Sequence, residues 1–227
     1  MNAATDRTWE PPCDRPRLAE ELCLALIITA AFLAVPTWFA SILRYLSPDT
    51  VGTAAAYSTW CDLFSLLFGL ILVAGSWRRS GLRFGSVRRH WRGVLLVCGI
   101  PIVATAVVYP LLPERPFADA PMTMWLVSPL AQDLVFSGYL YGRFGLVSDS
   151  YVHPRVRIRL ALVLAAVFFS LHHLPGLLSL SVGYVAFQLT YTFLGLLLVG
   201  LSRQWTGSLF YITATHMAVN LIAYVAN

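Results

Sequence analysis

Apolar runs of about twenty residues recur along this chain, and they constrain its fold more than any other feature. A helix rises about 1.5 Å per residue, so each run can cross the roughly 30 Å of hydrocarbon in a bilayer. Hydrophobic residues make up 58% of the sequence and charged residues 12%, a balance that excludes a soluble globular domain. The runs are continuous rather than alternating, which excludes a β-barrel. The predicted fold is therefore all-α, a polytopic membrane helical bundle of about seven transmembrane helices with any polar site in its core.

Hydropathy places these helices over residues 22–46, 52–77, 93–112, 122–144, 159–175, 178–202 and 207–226. Pro48, Pro113, Pro116, Pro121, Pro154 and Pro175 mark span ends, whereas Pro36, Pro101 and Pro129 lie inside spans. Residues 1–21 are polar and charged and read as a tail rather than a signal peptide, because the run that follows is long enough to span. Residues 22–227 then form a single membrane domain. No internal repeat and no low-complexity tract is apparent.

Every basic residue is an arginine, an exclusive usage that points to a GC-rich bacterial genome. On the seven-helix reading Arg7, Arg15, Arg17, the 78–92 cluster, Arg143, Arg155, Arg157, Arg159 and Arg203 fall on one side, with Arg44 and Arg115 opposite. The positive-inside rule makes the rich side cytoplasmic, with the N-terminus inside and the C-terminus outside, as expected for a bacterial inner-membrane protein. Topology and anionic lipid account for the 78–92 arginines without nucleic acid. Cys13, Cys23, Cys61 and Cys98 are scattered and show no metal spacing, so they read as small hydrophobes.

Against this background a few polar groups stand out: Gln132 with Asp133, His172 with His173, and His216 with Asn220. An ionisable side chain in hydrocarbon costs several kcal/mol, so it faces the bundle interior or a cavity. Counted from the arginine-rich end, Asp133 lies about 15 Å deep, the histidine pair about 20 Å, His216 about 14 Å and Asn220 about 20 Å. Three helices thus bring polar groups to one layer. His216 and Asn220, Asp133 and Ser137, and Phe169 and His173 are each four apart and share a helical face. Adjacent His172 and His173 point about 100° apart, so one of them is expected to face the site. Interhelical hydrogen bonding is the plainer role for a single membrane histidine. Asp62, the other intramembrane acid, matches no motif and is expected to bond to a neighbouring helix or water.

The same residues carry a family likeness. The run Gln132-Asp133-Leu134-Val135-Phe136-Ser137 resembles the first motif of the CAAX protease and bacteriocin-processing (CPBP, or Abi) family: two glutamates, three residues, arginine. Phe169 to His173 looks like the second, phenylalanine, three residues, histidine; Phe168 with His172 also fits. His216 to Asn220 matches the third, histidine, three residues, asparagine. The likeness spans about residues 93–226. It implies an intramembrane endopeptidase acting on a membrane-embedded or lipid-anchored protein or peptide. A carboxylate and histidines would activate water, while histidine and asparagine stabilise the oxyanion.

Family members include metallo- and glutamic-type enzymes. Zinc is possible here, with Asp133, His173 and His216 as its ligands, although the preferred mechanism requires no cofactor. In that mechanism Asp133, assisted by His173, deprotonates water, His216 and Asn220 support the oxyanion, and Gln132 orients water or substrate. The pattern departs from the family at two points. Gln132 replaces a glutamate and cannot take up a proton, and Ser137 replaces the arginine that would hold a carboxylate ionised. Two readings follow: Asp133 serves as base, or the chain is a pseudoprotease that binds a partner as a membrane scaffold. A proton-coupled transporter is a third possibility, which proton flux in liposomes would reveal.

Overall fold

The computed structural model describes residues 15–112, 121–148, 150–153 and 157–226. Arg7, Cys13, Pro113, Arg115, Pro116, Pro154 and Arg155, together with most of the 1–21 tail, lie outside the described residues. The chain folds as an all-α bundle. Helix α1 (Arg15–Leu46) is followed by the short α2 (Pro48–Val51), α3 (Ala54–Ala74) and α4 (Trp91–Val108). Next come α5 (Thr123–Asp133), a wide π-type segment (Leu134–Leu140) and α6 (Tyr141–Val147), stacked without a break. Helices α7 (Leu160–Leu171), α8 (Val182–Thr206) and α9 (Phe210–Ala226) complete the bundle.

Five helical segments are long and apolar enough to cross a membrane: Arg17–Leu46, Ala54–Ala74, Trp91–Leu111, Leu160–Leu178 and Val182–Thr206. These are the spans of an integral membrane protein. The remaining two long segments, 123–147 and Phe210–Ala226, stand where the fourth and seventh spans are expected. Pro36, Pro101 and Pro129 sit inside α1, α4 and α5, and each helix runs through its proline.

Three boundaries differ from expectation. Helix α1 starts at Arg15, so the helix takes in the last residues of the expected tail. One reason is that Glu21 pairs with Arg143 of α6, which ties this amphipathic turn to the bundle. A two-stranded ribbon pairs Tyr151 with Arg159 where a plain connection was expected. Most consequentially, α7 stops at Leu171 rather than near 175. Pro175 has no N–H to donate to the Leu171 carbonyl, so the chain leaves the α-helix and turns through 3₁₀ geometry over Leu174–Leu178.

The fourth segment is the axis of the core. Leu134, Val135, Phe136, Leu140 and Phe144 are fully buried or nearly so, with α3, α7 and α9 packed around them. Leu95, Val103, Leu67, Ile71 and Leu194 are exposed on the outer faces, as expected where the solvent is lipid. Arginine-bearing ends gather at one end of the bundle. There Arg143 meets Glu21, Arg203 meets the Arg79 backbone and Arg159 meets Gln204. Arg44 lies at the opposite end, beside Gly52 and Tyr57.

The α8–α9 corner is closed by glycines. Gly207 caps α8 in the left-handed region, at φ 71°, which favours a residue without a Cβ. Gly81, at φ 76°, lies against it: its carbonyl accepts from the Leu209 N–H at 2.8 Å. The arginine-rich 78–92 segment is thereby docked under the ends of α8 and α9.

Candidate active site

Helix α5 supplies the acid. Ser128 and Gln132 are one turn apart, and the Gln132 amide donates to Ser128 Oγ at 3.0 Å. The Gln132 carbonyl oxygen is left buried with no partner among the described residues. Asp133, the next residue, is 0% exposed. Neither of its oxygens has a hydrogen-bond partner among the described residues. Its Oδ2 lies 3.4 Å from Nδ1 of His216 on α9, an ion-pair distance between two helices that pack along their lengths. A buried carboxylate held this way needs further donors, and water is the smallest donor a polar cavity admits.

One turn beyond His216, Asn220 donates its amide to the Met124 carbonyl at 3.3 Å, which fixes α9 against the start of α5. The second amide hydrogen and the carbonyl of Asn220 remain for other partners. The end of α7 contributes both histidines. Nδ1 of His172 and Nδ1 of His173 each reach the Phe169 carbonyl, the latter at 3.1 Å. A carbonyl only accepts, so each ring donates from Nδ1, which turns Nε2 away from that carbonyl. The ring centroids are 3.8 Å apart. Phe169 spaces the cluster, with its ring 5.5 Å from those of both His173 and His216.

A cavity of about 180 Å³ unites these groups. Gln132, Asp133, Phe169, His172, His173, His216 and Asn220 all line it. That corrects the expectation that only one of the adjacent histidines faces the site. The 100° rule holds for a continuous helix, and the helix has ended before His172.

Ser137 does not line the cavity. It was expected to share a face with Asp133, but the wide turn that begins at Leu134 breaks the four-residue register. Its hydroxyl is buried without a partner among the described residues. Asp62 on α3 lies near Thr123 and Ser128 on α5, but its Oδ2 has no hydrogen-bond partner among the described residues.

Three features escaped the sequence. Gln188 and Tyr191 of α8 line the cavity. Gln188 is an uncharged amide in an apolar helix, and the rule that singled out Gln132 applies to it equally. Arg203 had been assigned to topology, yet it is 4% exposed. Its guanidinium donates to the Arg79 carbonyl at 2.7 Å and to the Gly138 carbonyl at 3.4 Å, and lies over the Tyr141 ring at 4.3 Å. No sequence signal separates it from the other helix-end arginines.

The donor set does not suit a structural zinc site. Among the described residues no three His, Cys, Asp or Glu side chains are arranged to hold one ion, so Asp133, His173 and His216 do not form the ligand set considered above. A catalytic zinc needs three protein ligands about 2.0–2.3 Å from the metal. Dialysis against a chelator is accordingly expected to leave turnover unchanged. Stoichiometric zinc in the purified protein, with turnover lost on its removal, would overturn that expectation.

A model of the Rce1-like family, described as type II CAAX prenyl endopeptidase Rce1-like, matches residues 117–222, just under half of the chain. No curated protein and no solved structure matches. The matched segment contains all three motifs and falls inside the stretch 93–226 expected from the sequence. The segment that carries every one of these cavity-lining motif residues is thus similar to the Rce1-like family of type II CAAX prenyl endopeptidases.

Proposed function

We propose that the chain is an intramembrane endopeptidase that hydrolyses a peptide bond of a membrane-associated protein. The observation that carries this reading is the Asp133–His216 pair, 3.4 Å apart on a cavity also lined by His172 and His173. In an aqueous pocket within hydrocarbon, such a pair can hold and move a proton where bulk solvent cannot.

Water bound at the cavity attacks the substrate carbonyl carbon. Its proton passes to the Asp133–His216 couple, in which each partner stabilises the charge the other acquires. The buried carbonyl of Gln132 accepts the second hydrogen of that water and orients it. The tetrahedral oxyanion receives the remaining amide hydrogen of Asn220; one preorganised donor of this kind contributes roughly 3–4 kcal/mol. His172 and His173, with acceptor Nε2 atoms, hold and return protons. When the carbon–nitrogen bond breaks, the stored proton goes to the leaving amine, and a carboxylic acid, which keeps the second hydrogen of the water, and an amine depart. Asp133, His173, His216 and Asn220 are the catalytic residues, and Gln132, Phe169 and His172 support them. Ser137 takes no part at the cavity.

Residues 22–227 act as one membrane domain. The arginine-rich end faces the cytoplasm, and the protein resides in a bacterial inner membrane with its C-terminus outside.

The family description makes a prenylated C-terminal peptide the first substrate to try. The purified protein, reconstituted in liposomes with a farnesylated peptide ending in cysteine and two aliphatic residues before the last, is expected to release a C-terminal fragment detectable by mass spectrometry. Comparison of membrane proteomes with and without the protein extends the search to other substrates. Gln132, which cannot accept a proton, favours a pseudoprotease. That reading gains if no peptide is cleaved in either experiment while Asp133→Asn retains the cellular phenotype and its co-purifying partners.

A further inference from the structure

The groups that handle protons come from α5, α7 and α9, yet one wall of the cavity belongs to α8. Gln188, Tyr191, Thr192, Gly195, Leu196 and Val199 all line it. At 100° per residue they fall within an arc of about 140°, a single face that runs along about 16 Å of the helix axis. Beyond Gln188, that wall has little hydrogen bonding to offer. The Tyr191 hydroxyl is engaged with Thr105 and with the Pro101 carbonyl on α4. The Thr192 hydroxyl donates to the Gln188 carbonyl at 2.8 Å. Leu196 and Val199 are apolar, as are Ile212 and Val219 on α9, which line the same cavity. This wall discriminates by shape.

Gly195 lies about 30° from the centre of that arc, between Tyr191 and Val199 on the helix face. Glycine inside a helix costs stability relative to alanine. At several other positions a close neighbour explains it. A Cβ at Gly200 would meet Leu162 at 2.3 Å, at Gly93 the Trp205 ring at 2.9 Å, and at Gly69 the Leu134 side chain at 3.1 Å. At Gly195 nothing lies within 4 Å. The protein's own packing does not claim that space, and the face on which it opens is the one that lines the cavity. Gly99 of α4 is equally open but does not line the cavity.

We infer that Gly195 is a specificity-determining residue: the open space over it admits a bulky apolar side chain of the substrate peptide, flanking the bond to be cleaved. The inference rests on the peptidase reading of the cavity and adds to it the size of side chain the site accepts. Leu196 and Val199, beside Gly195 on the same face, make the surroundings apolar, and a polar side chain buried there would lose its hydrogen bonds to water. Gly195 carries no group that moves a proton. It acts by the room it leaves, so substitution changes which peptides fit and not how water is activated.

The test fills the space by stages. Nothing in the protein opposes a Cβ at position 195, so Gly195→Ala is expected to fold as wild type does, and any loss it causes reports on what enters the cavity. The probes are farnesylated peptides that differ in a single residue flanking the cleaved bond: glycine, alanine, leucine or phenylalanine. Wild type is expected to prefer leucine or phenylalanine at one such position. G195A should lower kcat/KM for that peptide about tenfold and Gly195→Leu about a hundredfold, chiefly through KM. Both variants should stay within about threefold of wild type on the glycine peptide, so the preference for bulk disappears. Gly99→Ala makes the same chemical change away from the cavity and should alter none of these ratios.

A glycine kept for helix geometry alone predicts that G195A and G195L lower every peptide alike, or that G99A acts as G195A does. Either result overturns the inference, and so does a wild type that takes all four residues equally at every position. If wild type cleaves nothing, the proteolytic reading fails and binding decides the present inference. Fluorescence anisotropy of the same peptides, dye-labelled, is then expected to show G195L weakening the bulky peptide about a hundredfold and sparing the glycine one. Equal weakening of all of them, or binding of none, overturns the inference there too. Should G195L not fold, as thermal unfolding would reveal, G195A and Gly195→Val carry the same comparison: the bulky peptide must lose progressively with the size of residue 195, and a loss independent of that size overturns it.

Discussion

Asp133→Asn is expected to lower kcat for peptide-bond hydrolysis by about three orders of magnitude or more while the protein stays folded. The substitution exchanges one oxygen for an amide nitrogen and keeps the shape of a side chain that is 0% exposed. No packing is lost, and a buried charge is removed, so stability should hold or rise slightly. What disappears is the ability to take a proton or to stabilise a protonated His216 3.4 Å away. Neighbouring Gln132 cannot replace it, because an amide does not accept a proton at ordinary pH. KM should change little, since the acid acts on water and not on the bound peptide. Kinetics on reconstituted protein, beside thermal unfolding in the same detergent, check both halves. Turnover within tenfold of wild type would remove Asp133 from the mechanism.

Replacing His216 by alanine is the second large effect, expected to cost about two to four orders of magnitude in kcat. The informative measurement is the double variant. If Asp133 and His216 act as one proton-handling unit, Asp133→Asn with His216→Ala should be no slower than the worse of the two single variants. Members of one catalytic unit are strongly non-additive. Two groups working independently would multiply their losses instead. Asn220→Ala offers a contrast, because Asn220 is tied to the Met124 carbonyl and not to the acid. Its loss should multiply with that of Asp133. A multiplicative Asp133/His216 pair would show that the 3.4 Å approach has no part in the chemistry.

Much of this site was legible before any coordinates, because hydrocarbon makes polar residues conspicuous. Gln132, Asp133, the histidine pair, His216 and Asn220 interrupt helices with few other polar residues, and counting rise per residue brought them to a common depth. Helical periodicity also placed His216 and Asn220 on one face, and both line the cavity. It misled where the helix was not regular. Pro175 ends α7 early, so both His172 and His173 turn inward. The wide turn after Asp133 carries Ser137 out of register. Each error came from applying 3.6 residues per turn across a backbone that had left that geometry.

The amino-acid order therefore determined that this is an all-α membrane bundle and which polar side chains interrupt its apolar helices, since apolarity and length act locally along the chain. Only the tertiary structure decided that the acid meets His216, that both adjacent histidines line one cavity, and that Arg203 of α8 is buried against the Arg79 and Gly138 carbonyls. Those are contacts between residues distant in sequence. They depend on how helices pack and where a backbone turn widens, and no periodicity in the residues records either.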